Sequence, residues 1–253
     1  TTPVNSAVPK TSSAHTHEVQ FYANDVFLAD GVGAFITNGL KLGHGAIVIA
    51  TFPHRQAIET RLHLRGIDVT SLLENGRLIF ADATETLQQF MVNGIPDPAK
   101  FDASVGKMIK GAFKKYPALC AYGEMVDLLS AEGNHTGTLA LEELWNKLLS
   151  GQPAHLLCGY RLDRFDREAH RDCFRHICHA HTHVLPTEEF TQIDETEAQR
   201  RAIAELQQQA TALKSEVHQR KLAEEALRRQ AQDLARSNEE LQRFAYVAAH
   251  DLK

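Results

Sequence analysis

The chain has 253 residues, 43% of them hydrophobic and 23% charged, with a formal net charge of −5. That is enough for one sizeable core plus an extension, and the negative balance argues against nucleic-acid binding. No run approaches the ~18 apolar residues that a membrane span needs.

Residues 1–16 form a polar tail without the apolar centre of a signal peptide. From residue 17 to 186, short β-rich runs alternate with amphipathic helical runs. The strands are expected at Glu18–Tyr22, Ala46–Thr51, Leu78–Ala81, Leu119–Gly123 and His155–Tyr160, and the helices at Phe27–Leu42, Arg55–Arg65, Phe101–Lys115 and Leu139–Leu149. Gly94 and two prolines mark Asn93–Pro98 as a loop. This alternation implies an α/β three-layer sandwich with a mainly parallel central sheet.

Open sheets of this class bind ligands at the carboxyl ends of their strands. Tyr22, Glu124, Tyr160 and Arg161 are therefore the candidate ligand-binding residues, for a small organic ligand. Glu124 serves a ligand or an internal salt bridge equally well, and the two tyrosines also suit core packing with a satisfied hydroxyl.

The densest unusual chemistry is HRDCFRHICHAHTH, residues 170–183. Cys178, His181 and His183 are the candidate metal ligands, since thiolate and imidazole suit a transition metal. On a helix, Cys178 and His181 would share one face and His179 and His183 another. Core packing of Cys173, Phe174, Ile177 and Cys178 competes with that reading. No cofactor is fixed by the sequence beyond this candidate metal. Cys120, Cys158, Cys173 and Cys178 are too few for a disulfide framework and are expected reduced, in a cytoplasmic setting.

Residues 187–243 read as a long coiled-coil helix, broken from the domain by Pro186 and capped by Thr187 with Glu188 and Glu189 in its first turn. Leu206, Leu213, Arg220, Leu227, Leu234 and Leu241 recur every seven residues, and Ala210, Val217, Glu224, Ala231, Asn238 and Ala245 form a second such series. Only a partner helix would bury that seam, so a parallel homodimer is expected. Asn238 would fix its register, and Arg220 could pair with Glu224 within or between helices. At Phe244 the apolar stripe widens through Val247, Ala248 and Leu252, around His250 and Asp251.

LQRFAYVAAHDLK resembles the start of the phosphoacceptor domain of dimeric sensor histidine kinases, here residues 244–253. The resemblance implies that His250 takes the γ-phosphoryl group of ATP held by a separate kinase domain and passes it to an aspartate of a response regulator. Asp251 would then accept the proton from the other ring nitrogen or hold the tautomer. The chain stops before the second helix and the ATP-binding domain of that family. It is therefore expected to be a truncated piece, inactive as an enzyme alone, as its Thr1 start also suggests.

HEVQFY, GEMVDLL, LEELWNKLL, LLCGYRLDRF and FRHICHAHTHVLP resemble the MEDS domain, a sensory domain of bacterial and archaeal signalling proteins. The resemblance implies a nucleotide-binding ATPase fold and the detection of small organic molecules such as hydrocarbon derivatives. A phosphate loop is not visible. Gly106-Lys107 is followed by Met108 and has Phe101 where the leading glycine belongs, and Gly31 to Gly33 has no lysine before Lys41. ATP is therefore expected only at a kinase domain outside this chain. The whole reads as the input and dimerisation segment of a cytoplasmic sensor histidine kinase, with no membrane span. The alternative is a ligand-binding regulator whose coil serves only assembly.

Overall fold

The computed structural model describes residues 15–187 and 197–251, with side chains through Arg243. The elements run β1 (Thr16–Tyr22), α1 (Asp25–Lys41), β2 (Gly45–Ala50), α2 (Phe52–Leu64), α3 (Val69–Glu74), β3 (Leu78–Asp82) and α4 (Ala83–Gln88). There follow β4 (Met91–Val92), β5 (Ile95–Pro96), α5 (Pro98–Phe101), a π-helical turn (Asp102–Gly106), α6 (Lys107–Phe113), β6 (Leu119–Gly123) and α7 (Met125–Ala131). The chain continues through α8 (His135–Leu149), β7 (Ala154–Arg161), two short 3-10 turns, α9 (Arg171–Ala180), β8 (His183–Leu185) and α10 (Glu197–Asp251).

Six parallel strands form one sheet in the order β3-β2-β6-β7-β1-β8. Helices cover both faces, which is why β2 (GAIVIA) is an unbroken apolar run with every residue buried. One face packs Leu28, Val32 and Ile36 of α1 and Ile58 and Leu62 of α2 against Val48 and Tyr122. The other packs Trp145 of α8 and Phe174 of α9 against Val19, Phe21, Ala121 and Tyr160. Phe21 stacks on Phe174 with ring centroids 4.6 Å apart.

Three local expectations are corrected. Asn93–Pro98 is no open loop: Asn93 (φ 51°) and Gly94 (φ 79°) form the two-residue turn of the β4–β5 hairpin, both in the left-handed region that Asn-Gly favours. The run Phe101–Lys115 is not one regular helix, because the π-helical turn separates α5 from α6. The Cys/His-rich segment is helical only to Ala180; His181 is already extended, and His183 opens the edge strand β8, which pairs with β1 through Glu18 and His183. The expected cap at Thr187 to Glu189 reaches beyond Thr187 into residues outside those described.

The root of α10 lies on the domain. Ala204, Gln208 and Ala212 are buried, and Gln208 Nε2 donates to the Phe165 carbonyl at 2.8 Å. Arg201 anchors it further: its guanidinium donates to the carbonyls of Cys178 and, at 2.7 Å, His181, at the C-terminal end of α9. Past Ser215, which reaches Asp166 at 3.3 Å, the described side chains of α10 are exposed. Among the described residues, no helix is long and apolar enough to cross a membrane.

The sheet tolerates little added bulk where β6 meets β7. A methyl group on Gly159 would lie 2.6 Å from the Tyr122 hydroxyl, whereas one on Gly123 would meet Trp145 at an ordinary 3.9 Å. Gly159→Ala is expected to cost about 1–3 kcal/mol in urea unfolding, and Gly123→Ala about 1 kcal/mol or less.

Candidate functional site

Two polar constellations interrupt the apolar core. The first lies beneath β1 and β7. Strand alternation points His17, Val19 and Phe21 of β1 to one face, and Cys158 and Tyr160 of β7 to the same face. α8 brings Glu142 and Asn146 up to that face, and the end of α9 supplies His181. His17, Glu142, Cys158 and His181 are all buried, and one donor atom from each lies within 4.8 Å of the other three.

The hydrogen bonds around this cluster assign its tautomers. Asn146 Nδ2 donates to the Ala180 carbonyl, so its Oδ1, 2.9 Å from His17 Nδ1, accepts a proton from that nitrogen. His181 Nδ1 donates to the Ile177 carbonyl at 2.6 Å. Both Nε2 atoms are therefore lone-pair atoms. They lie 3.3 Å (His17) and 3.5 Å (His181) from the same oxygen, Glu142 Oε2. His17 Nε2 is also 3.2 Å from Cys158 Sγ, and His181 Nε2 has no hydrogen-bond partner. The other carboxyl oxygen, Oε1, accepts from the Tyr160 hydroxyl at 2.5 Å.

Burial dominates the protonation of the group. His17 is pushed down to about 4 by burial and by its neighbour His181, and His181 to about 4 by burial. Burial pushes the Glu142 carboxyl up, and the Cys158 thiol and Tyr160 phenol well up.

The second constellation sits at the carboxyl ends of the strands. Glu124 follows β6 and is buried; its Oε1 accepts from the Thr51 N–H at 2.6 Å, and its Oε2 meets His54 Nδ1 at 2.6 Å and the Tyr122 hydroxyl at 2.9 Å. Asp25 lies 3.6 Å from His54 Nε2 and 3.0 Å from the Arg161 guanidinium, which stands 5.8 Å from the centre of the Tyr22 ring. Asp127 accepts from the Arg161 N–H at 3.0 Å, and burial pushes its carboxyl up to about 6 against that bond and Arg164.

The turn from β1 into α1 is two residues long, Ala23 and Asn24. Asn24 caps Val26 N, and Asp25 places a carboxylate in the first turn, where a phosphate would otherwise be drawn. Gly31 and Gly33 lie inside α1, and Gly106-Lys107 spans the helical junction of the π-helical turn with α6. None of these builds a phosphate-cradling loop.

The family model described as "MEDS: MEthanogen/methylotroph, DcmR Sensory domain" matches residues 16–182. The chain belongs to this family. No curated protein sequence matches it.

Of the ligand-binding candidates, the MEDS fold brings Tyr22, Glu124 and Arg161 to the strand ends and sends Tyr160 to the opposite face, onto Glu142. The reason is alternation: Tyr160 shares the parity of Cys158. Of the metal candidates, only His181 enters the buried cluster. Cys178 packs in the core with Cys173, Phe174 and Ile177, and His183 pairs in β8. All four cysteines are buried. His250 and Asp251 lie within α10, with side chains outside those described.

Sequence reasoning missed His17, Glu142 and Cys158 as a group. A signal existed for Glu142: it falls on the buried stripe of α8, with Thr138, Leu141, Trp145 and Leu149, where an acid has no place unless partnered.

The strand-end pair has a testable pH signature. The hydrogen bond to Glu124, opposed by burial and helped by the charges of Glu124 and Asp25, raises the His54 pKa above its ordinary 6.5. The pair's contribution is complete below that ordinary value and is lost as pH rises through the raised one. In urea unfolding between roughly pH 6 and 9, stability is expected to fall more steeply for the wild type than for His54→Gln. Parallel curves would exclude the pair as a stabilising contact.

Proposed function

We propose that this chain is the input and dimerisation segment of a cytoplasmic sensor histidine kinase of a two-component system. The observation that carries the reading is the continuity of α10: one helix runs from the Arg201 anchor on the sensory domain to the position of His250. Beyond the groove at its root, its seven-residue seam is open, with Leu213, Leu227, Leu234 and Leu241 all more than half exposed in the single chain. A second copy supplies the missing apolar surface. Arg220 and Glu224 pair along one helix at 3.3 Å, leaving the polar seam positions balanced within each strand of the coil.

A small organic ligand enters at the root of the helix. A groove of about 440 Å³ lies between the domain and α10, lined by Ala23 and Leu162 on one side and by Ile203, Leu206, Ala210 and Lys214 on the other. Leu206 and Ala210 are seam residues, so an occupant there acts directly on helix pairing. The chemistry downstream is phosphoryl transfer: an imidazole nitrogen of His250 attacks the γ-phosphorus of ATP, ADP departs with the electron pair, and the proton of the other ring nitrogen passes to Asp251. A response regulator aspartate then takes the phosphoryl group. The second reading, a regulator whose coil serves only assembly, rests on the same seam without that transfer.

Two outcomes are expected. In sedimentation, the chain runs as a dimer, and Leu227→Lys with Leu234→Lys runs as a monomer; a monomeric wild type would remove the basis for both readings. In the protein that joins this segment to an ATP-binding kinase domain, labelled ATP gives an acid-labile, base-stable phosphoryl group that His250→Gln abolishes. A stable dimer without such a label would favour the assembly reading.

A further inference from the structure

We infer that His17, Glu142, Cys158 and His181 form a closed binding site for one divalent transition-metal ion of the zinc class. The inference goes beyond the signalling reading and does not depend on it.

Geometry is the first argument. A tetrahedral ion with bonds of about 2.0–2.3 Å to nitrogen, oxygen and sulfur holds its donor atoms about 3.3–3.8 Å apart. Here His17 Nε2 is 3.2 Å from Cys158 Sγ and 3.3 Å from Glu142 Oε2, which lies 3.5 Å from His181 Nε2 and 3.9 Å from Cys158 Sγ. Four of the six donor–donor distances thus lie within about 0.1 Å of the tetrahedral range, and all four donor atoms lie within 4.8 Å of one another.

The second argument is the direction of the lone pairs. Each histidine spends its Nδ1 proton on a fixed acceptor, Asn146 Oδ1 or the Ile177 carbonyl, as metal-bound imidazoles do with their outer partners. Both Nε2 lone pairs then converge on a carboxyl oxygen, which can offer them at most one proton. His181 Nε2 is left unpartnered on a side chain of 0% exposure. A buried acceptor in that position calls for a cation.

Charge and ligand type complete the case. Two neutral imidazoles, one thiolate and one carboxylate sum to −2, so a divalent ion that displaces one proton from Cys158 and one from Glu142 leaves the buried site neutral. Mixed nitrogen, sulfur and oxygen donors in a tetrahedron suit zinc or cobalt over magnesium or calcium. Four protein ligands leave no open position, so the ion is structural, tying β1 and β7 to α8 and the end of α9.

The test uses the whole chain, stripped with a chelator under reducing conditions and titrated with cobalt(II). The expected result is one ion per chain, intense tetrahedral d–d bands and a thiolate-to-cobalt charge-transfer band, all displaced by zinc. Cys158→Ser is expected to lose the charge-transfer band and Cys178→Ala to keep it. Asn146→Ala, which frees the His17 ring, weakens binding about 10–100-fold. Failure of the wild type to bind at micromolar cobalt, or binding without a thiolate band, overturns the site whatever the variants do. So does a band that survives Cys158→Ser.

Discussion

Burying the Glu142 carboxyl group at 1% exposure beneath a parallel sheet is the harshest demand in this molecule, and its neighbourhood follows from meeting it. Tyr160 serves one oxygen, and two imidazoles and a thiol crowd the other. Those groups come from β1, β7, α8 and the end of α9, so the polar knot ties four elements together. The knot extends outward through backbone contacts. Asn146 holds the Ala180 carbonyl, the His17 and Thr182 main chains bond to each other, and Arg201 of α10 grips the carbonyls of Cys178 and His181.

The strand ends present the opposite solution. In phosphate-binding proteins built on open parallel sheets, that edge holds a glycine-rich loop and a helix N-terminus. Here Asn24 closes the turn, Asp25 supplies a negative charge, and Glu124, His54, Tyr122, Arg161 and Asp127 satisfy one another. Glu124, Asp127 and His54 thus find their partners within the chain. The less polar space lies beside this edge, in the groove at the root of α10.

The layered α/β fold was legible in the sequence because its strands are apolar runs bounded by turn residues, and all five expected strands form within a residue or two. The edge strand β8 was not, because three residues carry too little period to register. The placement of Tyr22, Glu124 and Arg161 at the strand ends followed from the expected strand boundaries. The buried cluster was hidden for a different reason. Its members stand at positions 17, 142, 158 and 181, and only the pairing of β1 with β7 brings the first and third together. The local density of histidines and cysteines between residues 170 and 183 drew attention to Cys178 and His183, whose directions were set instead by the α9 core face and by the β8 ladder.

The manner in which α10 is held has a mechanical consequence. Its contacts with the domain end near Ser215, and roughly 50 Å of helix follows at 1.5 Å per residue. Such a rod works as a pointer pivoting on Arg201, Ala204 and Gln208. Each degree of tilt at that short bearing sweeps the far tip through about 1 Å, so displacements too small to disturb the packing of the sheet arrive at the other end as shifts the size of a bond length.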